Sequence, residues 1–153
     1  MQSHAYEAHL RWTGAAHGPA ADYKSYSREF SADVAGKPLL TGSSDPTFHG
    51  DPAVHNPEDL LLISLSACHM LTYLALCVRE GIKVLSYQDR ATGTMTQQDG
   101  KVRFNEVVLH PECVVSGDVQ NASRLHEQAH AGCFIANSVN FPVRNEPQVS
   151  AAT

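Results

Sequence analysis

The sequence predicts an α+β domain, and three features carry that expectation. The first third is extended and broken by turns, a long apolar helix opens at Asn56-Pro57-Glu58-Asp59, and Asp99-Gly100 joins two strand-like stretches. The order is strands, long helix, hairpin, second helix, last strand, which lacks the alternation of a parallel βαβ sheet. With 153 residues one core suffices, so a single domain over 1–153 is expected.

Each element has a local reason. Residues 6–12 and 22–34 are rich in aromatic and small side chains and are interrupted by residues 14–19 and by Gly36-Lys37-Pro38, the pattern of a β-meander. Residues 41–55 hold Gly42, Ser43, Ser44, Asp45, Pro46, Gly50 and Pro52, too punctuated for regular structure. Asn56 then caps a helix, Pro57 fits its first position, and Glu58 and Asp59 suit the positive end of its dipole. The helix should reach about Glu80, where Gly81 gives a left-handed exit, for a length of about 36 Å. Strands follow over 84–97 and 101–115 around the Asp99-Gly100 turn. Asp118 or Asn121 caps a second helix closed by Gly132, residues 133–139 continue as a short helical segment, and 141–149 form a last strand.

Composition narrows the function. Lys+Arg number 11 against 16 Asp+Glu, a formal charge of −5, so no basic field favours nucleic acid or anionic lipid. Residues 60–78 carry no Asp, Glu, Lys or Arg and are apolar all round, as a membrane span would be. Ser64, Ser66, His69, Thr72 and Tyr73 interrupt them, and the flanking caps belong to a helix in water. The expectation is therefore a central helix buried by its own sheet and a second subunit, with no membrane partner. Residues 1–25 have no apolar segment of signal-peptide type, and four cysteines without C-x-x-C spacing suit a reducing compartment. A cytoplasmic protein with free thiols is expected.

Four cysteines and a histidine motif are the candidates for chemistry. Cys68 lies mid-helix; Cys133 follows Gly132 at a break between helical segments, where a helix N-terminus would favour a thiolate. Cys77, about 13.5 Å along the axis from Cys68, cannot pair with it, and Cys77 and Cys113 read as packing residues. His126-Glu127-Gln128-Ala129-His130 matches H-E-x-x-H, whose histidines share one helical face and could hold zinc. No third ligand is evident, and the helix ends almost at once, so no metal is assigned and a zinc hydrolase is the lesser alternative. Arg28 and Glu58, taken singly, read as surface or capping charges.

Three segments together, His55-Asn56-Pro57-Glu58-Asp59-Leu60-Leu61, Ser66-Ala67-Cys68-His69 and Ala131-Gly132-Cys133 with Asn137-Ser138, resemble the OsmC/Ohr family of hydroperoxide-reducing proteins. The resemblance implies an intertwined homodimer of OsmC-like fold and a cofactor-free, thiol-based peroxidase. In it Cys68 would be the peroxidatic cysteine, with a pKa below about 8.5, and Cys133 the resolving one, re-reduced by an external dithiol. It also implies an arginine beside the thiolate, held by the N-P-E glutamate, here Glu58. Arg28 is the first candidate and Arg11 the second, since Thr47-Phe48-His49-Gly50 ahead of the helix has no arginine. Glu58 and Cys68 stand about 15 Å apart along one helix, so one guanidinium contacting both requires a site composed from two subunits. Leu65, Met70 and Leu71 would favour organic hydroperoxides, and His69 replaces the phenylalanine usual after that cysteine. The alternative within the family is a stress or redox-sensing protein that binds without turnover.

Overall fold

A computed structural model describes residues 2–153, which divide into two compact units, residues 2–60 and 61–153. In the first, β1 (His9–Arg11), β2 (Phe30–Asp33) and β3 (Leu40–Gly42) form an antiparallel sheet in the order β1-β2-β3. The strands are much shorter than the expected 6–12 and 22–34. Side chains capture backbone groups that a ladder would need: Asp22 accepts from the Lys24 amide at 2.9 Å, and the Trp12 indole donates to the Ser27 carbonyl at 2.8 Å. Arg28 consequently lies outside a strand. Gly50 is required where its loop closes, since a Cβ would sit 1.6 Å from the Ser44 carbonyl oxygen. The buried side chains and glycines of this unit are Gly14, Ser31, Gly42, Ser43 and Asn56, and no apolar side chain among its described residues is buried.

Helix α1 (Pro57–Arg79) starts and stops where its signals stand. Asn56 Oδ1 accepts from the Asp59 amide at 2.8 Å while Asp59 Oδ2 accepts from the Asn56 amide at 3.2 Å, a reciprocal cap. At the far end Gly81, at φ +72°, allows the Ile82 amide to reach the Cys77 carbonyl at 2.9 Å and its own amide that of Val78 at 3.2 Å. Only one stripe of α1 is fully buried, Leu65, His69, Tyr73 and Cys77, each four residues from the last. Ile63, Leu71 and Val78 on other faces are 50%, 62% and 75% exposed. The single chain thus covers α1 less than the sequence reading expected.

The second unit adds β4 (Lys83–Asp89), β5 (Thr92–Gln98), β6 (Lys101–Leu109), β7 (Pro111–Ser116), α2 (Val119–Gly132), β8 (Val143–Asn145) and β9 (Gln148–Ala151). They make two three-stranded sheets, β4-β7-β9 and β5-β6-β8, with β8 and β9 parallel to their neighbours. The β5–β6 turn is Asp99-Gly100, both at positive φ, as a type I′ turn demands. Each expected long strand is split. Asp89 accepts from the Ser66 hydroxyl at 2.5 Å and from the His110 amide at 2.7 Å, turning the chain between β4 and β5 and between β6 and β7. Asp118 caps α2, accepting from the Asn121 amide at 3.0 Å. Of the helical segment expected over 133–139, only a 3₁₀ turn at Ala136–Ser138 forms. One core cluster centres on Tyr73, Cys77, Ile82, Cys113, Val115 and Leu125, another on Leu65, Val107, Leu109 and Val143. Each buried Val, Leu and Ile among them contributes about 1.5–3 kcal/mol by leaving water.

Candidate active site

Cys68 sits half-buried near the middle of α1. Ser64, Leu71, Thr72, Ala75 and Arg79 recur around it at helical spacing, and with Gln128, Gly132 and Phe134 they line a largely apolar groove of about 670 Å³. Leu71 is the one residue of the expected peroxide pocket that faces this groove. Leu65 is buried in the core, and Met70 lines a separate cleft with Leu62, Ile63 and Ser66, because each lies on another side of the helix.

Cys133 is reached from α2. It is the C-cap residue, its amide bonded to the His130 carbonyl at 3.2 Å, and it is 1% exposed. This corrects the expectation of a helix N-terminus: α2 runs through Gly132 and presents its negative end here, which does not favour a thiolate. The turn that follows is fixed by its own bonds, the Asn137 amide to the Cys133 carbonyl at 3.0 Å and the Ser138 hydroxyl to the Phe134 carbonyl at 2.7 Å. Its Ala136 amide points at Cys133 Sγ at 3.5 Å. The same turn sets Gly132 and Phe134, which flank Cys133, in one groove with Cys68.

The two thiols respond in opposite directions. Burial pushes Cys68 up, but the Ile135 amide, the Cys133 thiol, the Phe134 amide and the Thr72 hydroxyl outweigh it and hold Cys68 below the ordinary thiol value. Burial also pushes Cys133 up; the Ala136 amide opposes it, but Cys68 adds to the rise through its hydrogen bond and its charge. Cys68 is thus the better thiolate and Cys133 the thiol that keeps its proton. Cys77 and Cys113 are buried with thiols raised by burial, as packing residues should be. All four sulfurs are free.

Arg28 donates to the Tyr26 carbonyl at 2.5 Å and to the Tyr23 carbonyl, and its guanidinium lies 3.7 Å from the Tyr26 ring centre. Arg11 makes a long 4.0 Å ion pair with Asp33 at the surface. Glu58 Oε2 is buried without a hydrogen-bond partner, and no ion pair joins Glu58 to Arg28 among the described residues. His126 turns inward, 1% exposed, with Nδ1 3.0 Å from His69 Nε2 and Nε2 3.7 Å from Cys113 Sγ. Both its nitrogens are engaged, so the H-E-x-x-H spacing leaves no lone pair for a metal shared with His130. The backbone amides at Cys68 were invisible to residue-type reasoning. Their only signal was the helix break at Gly132-Cys133.

Two neighbouring thiols of opposite acidity, on the long helix and after the second helix of an α+β fold, define a dithiol protein. The chain belongs to the OsmC-like protein family, whose model matches residues 50–147. Its fold matches that of an OsmC-like protein of unknown function from Vibrio cholerae, 31% identical, with a TM-score of 0.86 over 95% of this chain and 99% of that one. An organic hydroperoxide resistance protein from Elizabethkingia anophelis, 20% identical over 99% of this chain and all of that one, has the same fold at a TM-score of 0.68. The uncharacterised protein YmaD of Bacillus subtilis is 24% identical over 118 residues, 73% of this chain and 79% of that protein.

Proposed function

We propose that the protein reduces organic hydroperoxides with Cys68 as the attacking thiolate and Cys133 as the resolving thiol. The observation that supports this is that Cys68 lines one groove with Gly132 and Phe134, the chain neighbours of Cys133, with Cys68 held down and Cys133 raised. The Cys68 thiolate attacks the terminal peroxide oxygen; the S–O bond forms, the O–O bond breaks, and the alkoxide leaves and takes a proton as alcohol. Cys133 then condenses with the sulfenic acid, forming the disulfide and releasing water, and an external dithiol reduces the disulfide by exchange. The apolar groove suits an organic substituent on the peroxide.

The partners follow from what one chain leaves bare. Residues 2–60 bury no apolar side chain, α1 exposes Ile63, Leu71 and Val78, and a buried Glu58 oxygen has no partner. A second copy covering these faces makes a homodimer, in which Glu58 and Arg28 of one subunit serve Cys68 of the other. Four free thiols suit a cytoplasmic setting. Purified protein should consume cumene hydroperoxide with dithiothreitol over many turnovers, and Cys68→Ser should return consumption to background. Consumption that survives this change overturns the reading. A single stoichiometric oxidation without turnover makes the protein a redox sensor instead.

A further inference from the structure

His69, His126 and Cys113 take no part in the chemistry above, yet they form a linked polar line through the core. His69 Nε2 and His126 Nδ1 are 3.0 Å apart with ring planes within 7°, and Tyr73 stacks on His126 with ring centres 3.8 Å apart. Apart from an exposed 3.5 Å contact of Asn121 with Glu80, just past the end of α1, this is the side-chain hydrogen bond that joins the two helices among the described residues. The Cys113 thiol, pushed up by burial to about 11, keeps its proton and lies 3.7 Å from His126 Nε2. With that thiol as donor, His126 Nε2 accepts and His126 Nδ1–H is left to donate to His69 Nε2. Two leucines would fill such a space without desolvating imidazoles, so what the pair adds is a defined register.

The pin lies beside both thiols in sequence. Cys68 precedes His69 on α1, and Cys133 lies seven positions after His126, nearly two turns on and about 10.5 Å along the axis. A swing of α2 by about 6° about the pin moves Cys133 by about 1 Å. Disulfide closure requires Cβ atoms within about 3.5–4.5 Å, so such a movement decides whether the bond forms.

Resting on the two-thiol reading, we propose that the His69–His126 hydrogen bond, oriented by Cys113, is a register clamp that holds Cys133 in bonding position against Cys68. His69 and His126 are positioning residues for one step. In that step the Cys133 sulfur attacks the sulfenic sulfur of Cys68, the S–S bond forms, the S–O bond breaks, and hydroxide leaves with the Cys133 proton as water.

The test reads closure without needing turnover. The effective concentration of the Cys68–Cys133 disulfide is measured in dithiothreitol redox buffers for wild type, His126→Phe and His126→Asn. Phenylalanine keeps the ring on Tyr73 and removes both hydrogen bonds; the asparagine amide restores an N–H near the place of Nδ1. The clamp predicts a loss of about tenfold or more in His126→Phe and recovery to within about threefold in His126→Asn. After one equivalent of cumene hydroperoxide, His126→Phe should also accumulate over-oxidised Cys68. If His126→Phe does not fold, His69→Phe removes the same bond from the other helix. A folded phenylalanine variant within about twofold of wild type, or an asparagine variant as impaired as it, overturns the clamp. A wild-type chain that closes the disulfide in these buffers, loses it in the phenylalanine variant and consumes no hydroperoxide supports the clamp and removes the peroxidase reading.

Discussion

Among four cysteines only Cys68 combines access with donors aimed at its sulfur, and those donors are backbone amides of Phe134 and Ile135 together with the Cys133 thiol. Alkylation with iodoacetamide at neutral pH should therefore give one adduct, on Cys68, with a rate inflection below the reference of about 8.5. Cys133→Ala should raise that inflection by removing one donor; an unchanged inflection would show that the neighbouring thiol is idle. The buried histidines give a second expectation. Burial holds His69 down at about 4, with Asp89 pulling it up and His130 down, and burial with His69 beside it holds His126 at about 3. Unfolded imidazoles take up protons near 6.5. Between that value and about 4 the unfolded chain binds protons the folded chain refuses, so stability is fully present above 6.5 and is lost as pH falls, by about 1.4 kcal/mol per pH unit per histidine. The urea midpoint should be lower at pH 5 than at pH 7, and the difference should shrink in His126→Phe. Equal wild-type midpoints at the two pH values would contradict neutral burial.

The elements show which signals a sequence carries plainly. Asn56, Gly81, Asp99-Gly100 and Asp118 act through bonds to residues within a few positions, and each element boundary they announced is where they stand. Asn56→Ala should accordingly cost about 1 kcal/mol, read as a lowered urea midpoint, because it removes the acceptor for the Asp59 amide; a variant as stable as wild type would mean the cap is redundant. The strand breaks were illegible for the complementary reason. Asp89 is told where to turn by Ser66, 23 positions away, and no local pattern encodes that bond. The site divides in the same way. Cys68 and Cys133 stood out through the family resemblance, whereas the Phe134 and Ile135 amides carry no residue signature. The inward face of His126 depends on how α2 packs, so the motif read by spacing alone left zinc standing as a lesser alternative.

At the scale of the whole molecule, the quantity to explain is uncovered apolar surface. Residues 2–60 form a sheet without a buried apolar side chain, and a body of that kind does not stand alone in water. On α1, Leu71 and Val78 are exposed while Leu65 and Tyr73, on its buried stripe, are at most 1% exposed. The proposed homodimer would close both deficits, and light scattering should then report twice the chain mass, with Leu71→Glu shifting the population towards monomer. The sharper expectation concerns where each site's parts come from. If Arg28 of one subunit serves Cys68 of its partner, Cys68→Ser and Arg28→Ala homodimers are both inactive, yet a mixed dimer holds one complete site: the intact Cys68 of one chain beside the intact Arg28 of the other. Unfolding the two variants together and refolding them should restore activity, to about a quarter of the wild-type value if pairing is random. If each site were built within one chain, every mixed dimer would lack a cysteine in one subunit and an arginine in the other, and mixing would restore nothing.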